Sequence, residues 1–283
     1  MLLSKADTLL VLSSPIGFQV IINDAVQSKD ASINCWKYVD DLTLAENRPY
    51  TQPSKLQDTL DEFTEWTNKN KLSLNPSKCQ AIQVCFKNEP PPPIELKIAG
   101  KPLNYVTEAK ILGVHLQNDL KWDKNVNEIT KKSNQKLYML KLLKKFGFND
   151  EELITVYKGY VRPILEYADV TWHSSLTTNQ TKSLEQLQRH ACRIILGQRF
   201  TSYAVEAVQA CDLERLSDRR EDHCRKVSEG LADSDRTKDL LPPSRQSAHG
   251  RNLRNAHKFT QLRFRTSRFQ NSPIPYFVDL LNK

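Results

Sequence analysis

Polar and apolar residues alternate from Ile33 to Tyr38. Asn34, Trp36 and Tyr38 fall on one face and Ile33, Cys35 and Lys37 on the other, the period-2 pattern of a strand. Leu42 to Ala45 read as a second strand, and the Asp-containing connection between them predicts a β-hairpin. Downstream the period lengthens. Leu56, Leu60, Phe63 and Thr67 recur at i, i+4, i+7 and i+11, which predicts a helix from Ser54 to near Asn70, with Ser54 and Gln57 at capping-box spacing. Ala81 to Phe86, Ile94 to Ile98 and Ile111 to Leu116 read as strands of a small β unit. Pro90 to Pro93 cannot join a ladder and mark a connector. From Asp123 the pattern is helical. Ile129, Leu137, Leu140 and Leu143/Lys144 trace one stripe, and Gly147 ends that helix. Asp150 is placed to cap a second helix, which carries Leu153, Val156, Tyr157 and Tyr160 up to Pro163. A third, from about Asn179 to Ile195, turns Leu184, Leu187, Ala191 and Ile194/Ile195 inward, and a fourth set covers Tyr203 to Leu231. The expected fold class is therefore α+β, an antiparallel sheet with helices followed by an α-helical region.

Composition narrows the partners. Lys and Arg outnumber Asp and Glu by 41 to 33 in 283 residues, a net charge of +8. Six Cys occur without a Cys-x-x-Cys pair, so a zinc ribbon or knuckle is unsupported. His190/Cys192 and His223/Cys224 read as packing thiols and helix-face imidazoles rather than a mixed metal site. Met1 to Leu12 is apolar but interrupted by Lys5 and Asp7, too short and too charged for a membrane span or a signal peptide. An intracellular protein is expected, nuclear or cytoplasmic, with no membrane partner. The positive charge is concentrated. Lys131, Lys132, Lys136, Lys141, Lys144 and Lys145 crowd one helix with no acid between Thr130 and Phe148. From Leu240 to Val278 there is again no acid, while Arg245, Arg251, Arg254, Lys258, Arg263, Arg265 and Arg268 alternate with Phe259, Phe264, Phe269 and Tyr276. Basic side chains attract phosphates and aromatic rings stack on unpaired bases. The bland alternatives are a solvated helix face and a tail whose aromatics dock on the helical region.

Asp40 and Asp41, in Tyr38-Val39-Asp40-Asp41, bring the chemistry. Adjacent carboxylates repel, and a hard cation such as Mg²⁺, which takes oxygen ligands, offsets that charge. A solvated Asp-Asp turn is the bland reading. Further blocks follow in order: Gly17 to Asp24 with Ile22-Asn23-Asp24, Leu72 to Cys79 built on Asn75-x-x-Lys78, and Lys110 to Leu116 with Leu120-Lys121-Trp122. Then come Arg162-Pro163-Ile164-Leu165-Glu166-Tyr167 with Trp172, Leu187 to Arg193, and Arg268 to Tyr276. Together, over residues 16–283, these resemble the reverse transcriptases of non-LTR (LINE-type, jockey/CR1-like) retrotransposons, in their C-terminal palm–thumb portion.

The resemblance implies a partition: a leader (1–15) outside it, a partial palm (16–122), a helical thumb or connection region (123–235) and a basic, flexible C-terminal tail (236–283). It implies an RNA-directed DNA polymerase fold acting on an RNA template, a DNA primer and a nucleoside triphosphate, with Mg²⁺ as the cofactor. Asp40 would be a metal ligand and Asp41 a weaker or indirect one. Tyr38 would sit beside the primer end, with Val39 packing at the turn. Asn75 and Lys78 would lie near the incoming nucleotide, Lys78 protonating the departing pyrophosphate, against the plain alternative of a surface lysine. Gly113 would admit the primer backbone, and the lysine-rich helix and tail would hold nucleic acid. The family's fingers and first palm strand, with another catalytic Asp, are expected upstream of this segment. Asp7 lacks their context, so the chain alone is expected to be inactive. With no such strand, the sheet should keep an open edge and an uncovered apolar face around Trp36 and Leu44. The alternative class is a binding remnant without catalysis, or a domesticated interaction scaffold.

Overall fold

Six consecutive cross-strand pairs, from Ile33 with Glu46 to Tyr38 with Asp41, join β2 (Ile33–Tyr38) to β3 (Asp41–Glu46) in antiparallel register. The computed structural model describes residues 2–3, 32–39, 41–49, 51–72, 74–87, 89–197, 204–245 and 258–283. The chain forms two compact units, Met1–Lys121 and Trp122–Lys283. The architecture is α+β, with the strands in the first unit and most of the helix in the second.

In the first unit the sheet order is β2-β3-β1-β4-β7. Here β1 is Leu2–Leu3, β4 is Gln80–Ala81 and β7 is Asn104–Tyr105. β1 lies antiparallel to both β3 and β4, and β4 lies parallel to β7. The period-2 alternation sorts the hairpin faces. Leu42 and Leu44 of β3 point inward and are almost fully buried with Leu60 and Phe63 of α1 (Leu56–Lys69). Leu44 is therefore not part of an uncovered face, contrary to expectation, because α1 lies over it. Trp36 is on the opposite face and is exposed. The cap of α1 also differs from the expected box. Ser54 donates its hydroxyl to Glu46 Oε2 (2.7 Å) and the Lys55 amide donates to Glu46 Oε1 (2.8 Å), so the carboxylate ending β3 serves the helix start. Gln57 instead clamps a strand, donating to the Lys97 carbonyl and accepting from the Lys97 amide.

The remaining strands are shorter than the apolar runs predict. Of Ala81 to Phe86 only Ala81 is in a strand, within Gln80–Ala81, and Val84 and Phe86 are exposed. The chain there runs beside the proline connector, where the Gln83 amide donates to the Pro91 carbonyl (3.1 Å). β5 (Lys97–Ile98) and β6 (Lys101–Pro102) form a small hairpin. The single strand expected from Ile111 to Leu116 is a second hairpin, β8 (Glu108–Ile111) and β9 (Val114–Gln117). Leu112 (φ 46°) and Gly113 (φ 89°) turn it, both left-handed as a two-residue connection of this hand requires.

In the second unit α2 (Asp123–Lys145) buries Val126, Ile129, Ser133, Leu137 and Leu140. It packs along α5 (Thr178–Leu196), which buries Leu184, Leu187, Ala191 and Ile195. Gln180 of α5 donates to Asp123 (2.7 Å), tying the two helix starts together. At the far end the Phe148 and Gly147 amides return to the Leu143 and Lys144 carbonyls around Gly147, a Schellman closure. Asn149, not Asp150, caps α3 (Asp150–Val156), in a reciprocal box with Glu152. Pro163 does not stop the helical course. The helix passes into a wider π turn (Tyr157–Val161) and resumes as α4 (Arg162–Glu166). A proline ring clashes with the carbonyl four residues back in an α-helix, and widening the turn is one way to relieve that clash.

The Arg-Pro-Ile-Leu-Glu-Tyr block then makes a polar knot with α7 (Leu216–Asp233), which follows α6 (Ala204–Ala210). Glu166 accepts from Arg219 Nε (2.5 Å) and Nη2 (3.1 Å). Trp172 is fully buried, donates to the Tyr167 carbonyl (3.1 Å), and has the Arg220 guanidinium 5.8 Å from its ring centre. His223 and Asp169 are joined at 2.7 Å, and Cys192 lies against Cys211. The described end of the C-terminal stretch packs on the helices. α8 (Ser267–Gln270) leads into α9 (Pro273–Leu281), which buries Phe277, Val278 and Leu280 with Cys224 of α7. Its apolar residues have a groove to enter, and that burial outweighs the charge repulsion suggested by composition. Among the described residues no helix is long and apolar enough to cross a membrane.

Candidate nucleic-acid and metal site

The hairpin closes on the pair Tyr38–Asp41, so residues 39 and 40 connect its strands. Asp40 lies outside the described residues, as do Gly17 to Asp24, Arg251 and Arg254. Val39 has φ 53°, a left-handed conformation that a β-branched residue avoids. The strain is tolerated because a two-residue connection matches the strand twist only with positive φ at its first position. Val39→Gly is therefore expected to stabilise the first unit by about 1 kcal/mol. Thermal melting of both forms measures it, and a lowered midpoint would mean that Val39 side-chain packing outweighs the strain.

The alternation that buries Leu42 and Leu44 sends Tyr38, Asp41, Trp36 and Thr43 to the other face. Trp36 is 55% and Tyr38 62% exposed. These residues line a cleft of about 410 Å³ together with Lys37 and with Ile111 and Leu112 from the β8–β9 hairpin. Tyr38 and Asp41 are thus brought together with the loop that carries Gly113. The role of Gly113 visible here is to make that turn. Among the described residues the wall is mostly apolar and includes the Asp41 carboxylate, suited to a sugar and base beside a charged centre. For Mg²⁺ the donor chemistry fits: Asp41 opens β3, and Asp40 precedes it in sequence. Among the described residues no group of three His, Cys, Asp or Glu side chains gathers to complete such a site.

Asn75 and Lys78 sit on a neighbouring turn (Pro76–Lys78). The Asn75 side chain accepts from the Ser77 amide (3.1 Å) and hydroxyl (2.6 Å), so it caps that turn. Lys78 is exposed and is not among the described residues lining the cleft.

The six lysines of α2 do not form one face. At 3.6 residues per turn, Lys131, Lys141 and Lys145 align on the exposed side. Lys132 and Lys136 lie to one flank, and Lys136 Nζ donates to the Tyr160 hydroxyl (2.8 Å) and lies 4.2 Å from its ring centre. Lys144 turns towards α3 and pairs with Asp150 at 2.7 Å. Of the C-terminal basic residues, Lys258 donates to the Asn282 carbonyl, while Arg263, Arg265 and Arg268 are exposed. Phe259 packs against the buried cluster of α7 and α9, and Tyr276 also meets His173 edge-on at 6.0 Å.

Residues 11–116 match the family described as reverse transcriptase (RNA-dependent DNA polymerase). That stretch is thus similar to reverse transcriptases, as the resemblance of its motifs implies. Similarity extends to a probable RNA-directed DNA polymerase from transposon X-element of Drosophila melanogaster, 25% identical over 146 residues. That alignment covers 50% of this chain and 16% of the relative, so the chain spans a small part of the length of the curated relative it matches. No solved structure matches. The reverse transcriptase match takes in both the Tyr38–Asp41 hairpin and the Leu112 loop, the two walls of the cleft.

Proposed function

We propose that the first unit is a reverse transcriptase palm and the second a thumb, and that the chain holds an RNA template paired with a DNA primer. The observation that carries this reading is the apolar cleft shared by Tyr38, Asp41 and Leu112. The primer's terminal sugar and base would lie against Tyr38 and Leu112, with the 3′-hydroxyl towards Asp41. In the family's reaction that hydroxyl attacks the α-phosphorus of a nucleoside triphosphate in line, and pyrophosphate leaves. Bound Mg²⁺ supplies the charge neutralisation for this step. Asp40 and Asp41 would hold it. Exposed Lys78 is the candidate to give a proton to the pyrophosphate.

A second reading, binding without catalysis, has its own observation. The strand beside β3 sets Leu2 against Thr43 and Leu3 against Leu42. The two described residues of that strand, Leu2 and Leu3, carry no carboxylate to share a metal pair with the hairpin. We therefore favour a chain that retains template–primer without extending it. Primer extension on poly-rA/oligo-dT with Mg²⁺ or Mn²⁺, run beside filter binding of the same duplex, tests both parts. The expected result is retained duplex and no added nucleotides. Extension that vanishes in Asp40→Ala would overturn the second part, and failure to retain the duplex would overturn the whole reading.

A further inference from the structure

We infer that the exposed stripe of α2 binds an unpaired nucleic-acid strand, with Tyr138 stacked on a base. This rests on the nucleic-acid reading above and goes beyond it by naming the form of the ligand. The buried residues of α2 occupy one side of the helix. On the opposite side Lys131, Asn134, Gln135, Tyr138, Lys141 and Lys145 are all exposed and fall within about a third of the helix circumference, over about four turns. No acid lies between Thr130 and Phe148. Among the described residues no carboxylate pairs with Lys131, Lys141 or Lys145.

Tyr138 decides what such a stripe recognises. It is 65% exposed at the middle of the row, with Lys131 two turns before it and Lys141 and Lys145 after it. Phe146, 80% exposed, follows about two turns further on beside the same stripe. Lysines alone suit any phosphate backbone. In a duplex the base faces are stacked on one another and the outer surface is sugar and phosphate, so an aromatic ring between lysines gains little there. An unpaired strand presents both parts, phosphates for the lysines and a free π-face for the ring, and such stacking tolerates any base. Lys136 and Lys144 are engaged with Tyr160 and Asp150, and Lys132 lies on the flank, so Lys131, Lys141 and Lys145 are the backbone contacts within the stripe.

Fluorescence anisotropy with the full chain, a labelled oligo-dT and a blunt DNA hairpin tests this. Tyr138→Ala is expected to weaken oligo-dT binding about tenfold without changing its salt dependence, and to leave hairpin binding unchanged. Tyr138→Phe, which keeps the ring, should bind as the parent does. Replacing Lys131, Lys141 and Lys145 together with Gln should reduce the slope of log K against log salt by about 2 for the single strand. The inference is overturned if Tyr138→Ala binds oligo-dT within about twofold of the parent, or loses hairpin binding equally. Circular dichroism of each variant verifies that α2 is intact, as expected for exposed positions. A chain that binds neither these probes nor an RNA–DNA template–primer would fail the nucleic-acid reading itself. Retained template–primer binding with a silent Tyr138→Ala would fail only this inference.

Discussion

Trp172→Ala should cost the helical unit about 3–5 kcal/mol, a large part of the 5–15 kcal/mol that holds a typical domain together. The ring is fully buried, so truncation leaves a cavity bounded by α7 and the Arg-Pro-Ile-Leu-Glu-Tyr segment. It also removes the indole N–H from the Tyr167 carbonyl and the aromatic face near Arg220. Arg220 is itself fully buried, and its guanidinium then has a void where it had a π-surface. Urea unfolding followed at 222 nm reads the loss, because most of the helix lies in this unit. The midpoint should fall by more than about 1 M. Trp172→Phe should cost less, since it refills much of the volume but still strands the carbonyl. A midpoint within about 0.3 M of the parent for Trp172→Ala would mean that the site collapses without a cavity.

Trp172 illustrates what could be read before the fold was known. The motif around it is visible as a string, and the helical periodicity before it is legible in Leu153 and Tyr157, both buried, though Tyr160 of the same stripe is exposed. The partners are not. Arg219, Arg220 and His223 lie about fifty residues later, and their own helix reads as a charged, solvated one until α4 is placed beside it. The same holds for Lys144. On the sequence it belongs to an acid-free run, and only the Schellman turn at Gly147 brings Asp150 within reach. Charge counts along a chain therefore overstate the basic face of a helix whose end folds back.

The candidate cleft was half legible. The alternation in Ile33 to Tyr38 correctly separates Trp36 and Tyr38 from the core side. The opposing wall was hidden by turn chemistry. Leu112-Gly113 lacks the Asn-Gly or Asp-Gly signal, so two strands of opposite direction read as one, and the segment holding Gly113 is legible as a block but not as a turn. The cap on α1 was missed for a related reason. Ser54 accepts from the Leu56 amide (3.2 Å), but its partner is the carboxylate ending the preceding strand rather than Gln57, and nothing in a five-residue window reveals it.

Acid should destabilise the helical unit in a window set by His173. Burial, and then the neighbouring Arg220 charge, push its imidazole down from 6.5 to about 4. Arg220 Nε donates to His173 Nδ1 at 3.3 Å, so a proton on that nitrogen replaces an acceptor by a second cation facing the first. In the unfolded chain the ring takes its proton near its ordinary value. Between pH 6.5 and about 4 the unfolded state therefore binds more protons, and stability rises with pH across that window. The contribution is complete above pH 6.5 and is lost as pH falls towards 4. The loss is about 1–2 kcal/mol, below the full linkage value because the ring is partly solvated. Asp169 acts in the opposite sense. Burial holds its carboxyl above the ordinary 3.8 even though His223 bonding lowers it, so its protonation favours the folded form in acid. A comparison with His173→Asn isolates the imidazole, since the Asn side-chain oxygen still accepts from Arg220 and does not titrate. Urea midpoints from pH 7.5 down to 4.5 should coincide for parent and variant at the upper end and diverge below pH 6.5, the variant losing less. Parallel curves throughout would show that His173 takes up its proton as readily in the folded chain as in the unfolded one.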